Sequence, residues 1–578
     1  MESTGYLSEQ TRLDVANTLA HRLGVADIRA VVDDIAGSTR RHRSVESIVA
    51  ETTGQSGRSR TRLPDEGLAR FLVDLCGIAL LENRLLRERL ALCASGDELD
   101  RLHDYPGGKG RGGRAAKANA VANRRWEAGK GWPRYFVQVL DLPHVLAGIP
   151  GPPREPDSLT AIPFVPLPEL EDFQSELVTQ VLKVLTAPAG SNRAVLTLPT
   201  GAGKTRTAVE ALVAWYLSRP PRNTILWIAQ SEELCEQAVQ AFREVWIDLG
   251  HRKSDVRDSL EVSRLWSNAS VPSDPDVVVA SIQKLHAIVR DEDSSEFLEL
   301  RDLRGQIGVV IVDEAHRMSA PSYGQVLRFL GINLRKQSSG VPLLGLTATP
   351  FRASDDETHQ LVRGFHGRLI EPASLGDNPV RELRQRGVLS EPVHEFLNYG
   401  GSRFRMEDKF VEHFRQFNDF HPTFLRQIGE SRDRNAAILE RLLRFPEECP
   451  TLFFGASVEQ AQAMSVLLRR AGRRSETVTA TTRAATRRAL IEEFREGRLS
   501  VLCNYGVLTT GFDAPLVQAL VIGRPTASRV LYAQMIGRGM RGPRFGGTPT
   551  CTVVDVHDNI QFQEELAYNW YLPYWSRV

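Results

Sequence analysis

An apolar run, a glycine-bearing loop and a helical pattern follow one another in AVLTLPTGAGKTR, residues 194–206, and AVEALVAWYL behind it. The order reads strand, loop, helix. Such a loop turns successive backbone N–H groups inward at a helix N-terminus, where anions bind. Gly201 and Gly203 permit backbone conformations and a close approach that a Cβ hinders. Thr200, Gly201, Ala202 and Gly203 therefore form the expected phosphate cradle. Lys204 is expected to reach the β- and γ-phosphates, and the Thr205 hydroxyl to ligate Mg²⁺. The match to G-x-x-x-x-G-K-[ST] departs at one position, where Leu198 replaces the first glycine.

The chain of 578 residues has room for three to four domains. Hydrophobic residues at 42% and charged residues at 25% give a globular balance with several buried cores. A formal net charge of +1 means that any nucleic-acid surface must be local. The six cysteines are scattered without a C-x-x-C pair, which argues against a zinc module or a disulfide framework and fits a reducing cytosol. No apolar stretch is long enough for a membrane span, and the polar start MESTGYLSEQTRLD lacks a signal core. A cytoplasmic location is expected.

Before the loop, Leu13, Val15, Leu19, Leu23, Ile28 and Val31 recur at helical spacing, and residues 68–92 repeat the pattern. Residues 1–150 thus read as an α-helical accessory module. It contains a basic-aromatic tract in which Lys109, Arg111, Arg114, Lys117, Arg124, Arg125, Lys130 and Arg134 are interleaved with Trp126, Trp132 and Tyr135. Two readings are open: the bases contact phosphates while the rings stack on nucleobases, or the aromatics dock on a neighbouring domain. Prolines crowd residues 151–168, which read as a stiff linker. Because every nucleotide-site motif follows it, a chain beginning near residue 160 is expected to fold and turn over nucleotide alone.

From 169 to 370 apolar runs alternate with helical patterns: TILWIAQ, DVVVASI, GVVIVDEAH and VPLLGLTATP. The alternation predicts a parallel sheet covered on both faces, with ligands at the carboxyl ends of its strands. Asp313 ends one such run and can hold Mg²⁺; Glu314 beside it can act as general base toward water. His316 is placed to couple the nucleotide site to a partner domain. A second alternating region spans 371–560, with a charged helical stretch near 400–448 read as an insertion. In it QMIGRGMR fits Q-x-x-G-R-x-x-R with Gln534, Arg538 and Arg541 on one helical face, and two guanidiniums there suit γ-phosphate stabilisation. Residues 561–578 form an aromatic tail, which packs on the lobes or offers a partner surface.

GAGKT, DEAH, LGLTATPFR, LTTGFDAP and QMIGRGMR together resemble the superfamily 2 DEAD/DEAH-box helicases. Among these they are most similar to RadD-like helicases and to type I and type III restriction-enzyme motors. The resemblance implies an α/β fold of two RecA-like parallel-sheet lobes behind the helical module. It also implies ATP with Mg²⁺, hydrolysis of the DEAH type, and a nucleic-acid partner, DNA favoured over RNA. By resemblance Gln174 holds the adenine, Thr347 and Thr349 relay the nucleotide state, and Gly511, Asp513 and Gln534 face the ATP cleft. Gln230, Ser281, Gln283 and Thr510 would lie along the nucleic-acid strand. The implied activity is an ATP-dependent helicase or translocase, in DNA repair or anti-phage defence. Two alternatives stay open: a nucleotide-gated recruiter whose N-terminal module or tail docks a protein, and one motor subunit of a larger defence or restriction complex.

Overall fold

The computed structural model describes residues 6–36, 44–54, 62–106, 112–150, 158–161, 167–219, 223–252, 259–335, 340–351, 355–399, 404, 407–417, 419–508, 516–526, 528–556 and 576–577. Two sheets carry the architecture. The first has nine strands in the order Ser158–Ala161, Leu260–Leu265, Val277–Ser281, Thr224–Ala229, Ile307–Asp313, Leu343–Thr347, Arg193–Thr197, Arg368–Ile370 and Ser576–Arg577. Every pairing in it is parallel except that of Ser158–Ala161 with Leu260–Leu265. The second sheet is wholly parallel and runs Ser475–Val478, Val501–Asn504, Thr451–Phe454, Ala519–Ile522, Thr550–Val556 and Glu391–Leu397. The central strands are apolar along their length because helices cover both faces; Arg193–Thr197 and Thr224–Ala229 are buried at every residue. These are the two parallel-sheet α/β lobes that the alternation of runs predicts. Among the described residues no helix is long and apolar enough to cross a membrane.

Two expectations about the segments between these elements need correction. Residues 158–161 lie inside the stretch read as a linker, yet they add an edge strand to the first sheet. The tetrapeptide SLTA is the proline-free gap between Pro156 and Pro163, so its N–H groups can enter a ladder. The stretch near 400–448 is not all insertion. Helix Arg432–Leu443 places Ile438 and Leu442 in one core with Phe453, Cys503 and Val554, so it is a covering layer of the second sheet. The aromatic part of the tail lies outside the described residues, and Ser576–Arg577 pair with Arg368–Ile370 of the first sheet.

The N-terminal module is helical, as its periodicity predicts. Serine caps start its helices at Ser8, Ser44 and Ser95, the last completing a reciprocal capping box with Glu98. Its core does not close on itself. Ala463, Val466 and Leu467, from helix Val458–Arg470 of the second lobe, complete it. Trp126 and Trp132 belong to the same core, at 7% and 8% exposure, and both pack edge-on against Phe136 of the module itself rather than on a neighbouring domain, so neither ring is available to a nucleobase. The seam also carries buried charge. Arg12 of the module pairs with Glu476 of the lobe, whose other oxygen meets Arg469 at 2.9 Å. Arg469 donates to the Asp74 carbonyl, and the Asp74 carboxylate takes Arg70 at 2.9 Å and lies 3.8 Å from both Arg12 and Arg470. Burial, and then the facing Arg469, push the Arg12 guanidinium below its ordinary range.

A chain beginning near residue 160 would bare this apolar face and take Arg12 from Glu476 and the Asp74 carbonyl from Arg469, leaving those two paired with each other. Glu476→Gln leaves Arg12 and Arg469 buried without their shared counter-charge. It should lower the unfolding free energy by about 3 kcal/mol in a urea titration. An unchanged midpoint and slope would mean that the seam contributes nothing to the fold.

Candidate functional site

Carboxyl ends of strands in the first lobe and two helical segments of the second, Ala484–Arg495 and Arg529–Ile536 with the turn after it, face one cleft of about 1060 Å³. Strand Arg193–Thr197 feeds the loop that precedes helix Lys204–Leu217. The loop turns through Gly201 at φ +91° and Gly203 at φ +82°, a region that L side chains rarely adopt. Space adds to the requirement at Gly203, where a Cβ would lie 2.5 Å from Gln174 Nε2. Thr200, Gly201, Gly203, Lys204 and Thr205 line the cleft. Ala202 and Gln174 stand behind them, both buried, with the Gln174 amide donating to the Ala202 carbonyl at 3.4 Å. The other end of that amide accepts the Glu171 N–H at 3.1 Å. Gln174, expected at the adenine, ties the loop to the start of its own helix, one end of its amide on Ala202 and the other on the cap residue Glu171. Its neighbour Phe173 is fully buried in the core.

Strand Ile307–Asp313 delivers the acidic pair into the same cleft. Glu314 follows at φ +49° and ψ +49°, a left-handed conformation uncommon outside glycine, which swings its carboxylate away from the strand line. Its N–H donates to Asp313 Oδ1 at 2.9 Å. Burial pushes the Asp313 carboxyl above its ordinary range, against the pull of Lys204. Burial acts on Glu314 too, but Lys204, His316, Arg538 and Arg317 together bring it below its ordinary value. The arrangement separates a carboxylate that stays charged from one whose charge needs a cation beside it. Asp313 and Thr205 offer hard oxygen ligands next to a phosphate cradle, a donor set that fits Mg²⁺ shared with substrate phosphates.

His316 joins the acidic pair to both lobes. Its Nδ1 lies 3.0 Å from Thr347 Oγ1 and 3.2 Å from Glu314 Oε2. The Thr347 hydroxyl donates to the Thr349 carbonyl and accepts the Thr349 N–H, so Nδ1 carries the proton toward these acceptors. Nε2 lies 3.5 Å from Gln534 Nε2 across the cleft. Gln534, Arg538 and Arg541 all line the cleft from the second lobe. They do not share one helical face as expected. The helix stops at Ile536, Gly537–Gly539 form a tighter turn, and Arg541 bridges to Leu389. Close packing enforces the change: a Cβ on Gly537 would meet Thr200 at 2.6 Å and one on Gly539 would meet Cys551 Sγ at 2.4 Å. The side chains reach one place through this bend.

Of the residues expected on a nucleic-acid strand, three come together. The Gln283 amide donates to the Gln230 carbonyl at 2.8 Å, and Ser281 caps helix Ile282–Arg290 by accepting the Lys284 N–H at 3.2 Å. Thr510, and with it Gly511 and Asp513, lies outside the described residues. Two inter-lobe ion pairs were not legible in the sequence. Arg487 meets Glu233 at 2.5 Å and Arg544 meets Glu171 at 2.5 Å. Glu233 and Arg487 are 254 residues apart, and no local pattern relates them.

Comparison with known proteins gives two family matches. The type III restriction enzyme res subunit matches residues 167–352, and the helicase conserved C-terminal domain matches residues 434–543. A Saccharomyces cerevisiae protein provisionally named ATP-dependent helicase IRC3 is 25% identical over 390 residues, covering 65% of this chain and 50% of that protein. A provisionally named mitochondrial ATP-dependent helicase irc3 of Schizosaccharomyces pombe is 26% identical over 397 residues, 68% of this chain and 58% of its own. The DNA 3'-5' translocase XPB2 of Sulfurisphaera tokodaii is 21% identical over 402 residues, 64% of this chain and 79% of its own. The chain thus spans little more than half the length of the two yeast proteins.

Gly203 and Gly472 share a left-handed backbone, but only Gly203 abuts the loop brace; nothing lies within 4 Å of a Cβ on Gly472. Gly203→Ala should weaken nucleotide binding about tenfold or more through strain and displacement of Gln174. Gly472→Ala should cost about 1 kcal/mol of stability and leave binding unchanged. Titration with a fluorescent nucleotide, beside thermal unfolding, separates the two effects.

Proposed function

The chain belongs to the superfamily 2 helicases and resembles restriction-enzyme motor subunits; from that premise we propose that it couples ATP hydrolysis to movement along a nucleic-acid strand. One observation carries the reading. Lys204, Asp313 and Glu314 from one lobe and Gln534, Arg538 and Arg541 from the other line a single cleft. A site shared in this way is complete only while the lobes are together, so the chemical state of the nucleotide and the spacing of the lobes bias one another.

In the proposed mechanism the loop N–H groups and Lys204 bind the triphosphate, and Gln174 keeps the loop in shape. Asp313 and Thr205 hold Mg²⁺, which when bound neutralises phosphate charge. Glu314 stays ionised and takes a proton from the attacking water, its carboxylate oriented by His316. Arg538 and Arg541 meet charge that develops on the transferring phosphoryl group. Hydrolysis is then felt across the cleft through the chain Glu314, His316 and Gln534, and within the first lobe through Thr347 and Thr349. Gln230, Ser281, Gln283 and Thr510 are the proposed strand contacts. DNA is the proposed track, supported by the relative named as a DNA translocase.

Glu314→Gln should retain ATP and lower turnover on the order of a hundred-fold, as for loss of a general base. Arg538→Ala and Arg541→Ala should lower turnover far more than ATP affinity, because they act on the transition state. Single-stranded or duplex DNA should stimulate the wild-type rate. Turnover indifferent to DNA and RNA alike would remove the translocase reading and favour a nucleotide-gated recruiter.

A further inference from the structure

A second pocket, of about 500 Å³, opens where the N-terminal module meets the second lobe. Arg84, Arg87, Arg124 and Arg125 line it from the module and Arg483 from the lobe. Glu82 and Glu127 are the carboxylates among its lining residues, so five guanidiniums against two acids leave an excess of three positive charges.

These arginines divide by how they are held. Arg124 donates to the carbonyls of His103 and Tyr105 and lies over the Trp132 ring at 4.7 Å. Arg87, at 5% exposure, donates to the carbonyls of Leu81, Glu82 and Ala122 and lies over Trp126 at 5.0 Å. Both build the wall. Yet Arg87 Nε lacks a hydrogen-bond partner among the described residues. Burial, then Arg84 nearby, push Arg87 down to about 10, with Arg483 adding to the effect. Glu82 pulls the other way on Arg87 and pairs with Arg483, so the positive charge of the wall is compensated in part. Arg84 and Arg125 form the rim, their side chains 48% and 88% exposed; their ion pairs with Glu88 and Glu127 lie at the surface, where such pairs contribute little, and Arg84 Nε also donates to Asn123 Oδ1 at 2.6 Å.

The pocket's position says what could reach it. Arg483 precedes helix Ala484–Arg495 and pairs with Glu82 of the module at 2.9 Å. One turn further along that helix, Arg487 crosses to Glu233 of the first lobe. Glu233 lies in the first turn of the helix that begins just after Gln230. Side-chain pairs thus link the helix that follows Gln230, through Arg487 and Arg483, to the pocket wall.

We propose that this pocket takes a backbone phosphate of the nucleic-acid strand, so that the N-terminal module lengthens the track beyond the second lobe. The inference rests on the strand-motor reading above. Guanidinium forks match phosphate oxygens in pairs, and an incoming phosphate would replace the surface ion pairs of Arg84 and Arg125, with Asn123 still holding Arg84 Nε. The rigid seam through Arg12, Glu476 and Arg469 would make the pocket move with the second lobe.

The test uses the full chain with Arg84→Gln and Arg125→Gln together; neither side chain lies in the nucleotide cleft. Affinity for a single-stranded DNA oligonucleotide is measured at several salt concentrations, with ATP turnover measured in the absence of DNA. Loss of two phosphate contacts should weaken binding and flatten the plot of log K against log salt by about 1.4, while DNA-independent turnover stays at the wild-type value. Arg84→Lys with Arg125→Lys keeps the charge and should keep the wild-type slope. Wild-type binding with an unchanged slope in the Gln pair would overturn the pocket and leave the motor reading standing, and an equal loss of slope in the Lys pair would also count against it. A wild-type protein that binds no DNA would overturn both, and the pocket would then be better matched to an acidic protein segment.

Discussion

Two adjacent carboxyl groups, a buried Asp313 and a half-buried Glu314, stand at the end of a central strand, and the rest of the cleft is arranged around the cost of keeping them there. An isolated buried carboxylate would take up a proton. Here Lys204 faces both, and His316, Arg538 and Arg317 add positive character around Glu314 alone. The asymmetry produces two carboxyl groups of different character one residue apart. Its sources span the molecule: Lys204 comes from the phosphate loop, His316 from the turn after the strand, Arg538 from the other lobe. Drawing the lobes apart removes Arg538 and changes the balance, so the electrostatics of the site are tied to the separation of the sheets.

The same principle works at the seam between the N-terminal module and the second lobe. There Arg12, Arg469, Arg470 and Arg70 surround Glu476 and Asp74. A buried network of this kind adds little net stability over an apolar interface, but breaking one partner is costly, and its geometry permits one alignment. The apolar contribution of Ala463, Val466 and Leu467 supplies the attraction, and the charges fix the register. This attachment holds the module against the second lobe by both kinds of contact. It also explains why the aromatics near Trp126 face inward: they hold the arginine-lined wall of the junction pocket, and the nucleic-acid chemistry of the tract passes from its rings to its rim arginines.

The strand–loop–helix motif at Lys204, the acidic run ending in Asp313 and Glu314, and the alternation that implies two parallel sheets were legible because each is a local pattern. The polypeptide needs only neighbouring residues to make a glycine turn or a buried strand. The coupling between Glu314, His316 and Gln534 could be anticipated in kind, since His316 stood beside the acidic pair, but its partner could not. The periodicity around Gln534 misled for a definable reason. Helical spacing assumes a continuing helix, whereas Gly537 and Gly539 are pressed against Thr200 and Cys551 and bend the chain. Proline counting misled in the same way before the first lobe, because composition does not reveal that SLTA finds an edge to pair with.

By itself the sequence determined the chemistry available to this protein: a phosphate cradle, a pair of carboxylates, two guanidiniums and a helical module rich in arginine. Those depend on residue type and on spacings of a few positions. Tertiary structure alone decided which of them meet. Arg487 and Glu233, Arg544 and Glu171, Arg12 and Glu476 are each distant in sequence, and only the folding of two sheets onto one cleft brings opposite charges within a few ångströms. The reason is that burial and Coulomb energy depend on distance in space, and distance along the chain carries no trace of it beyond a helical turn or a strand pair.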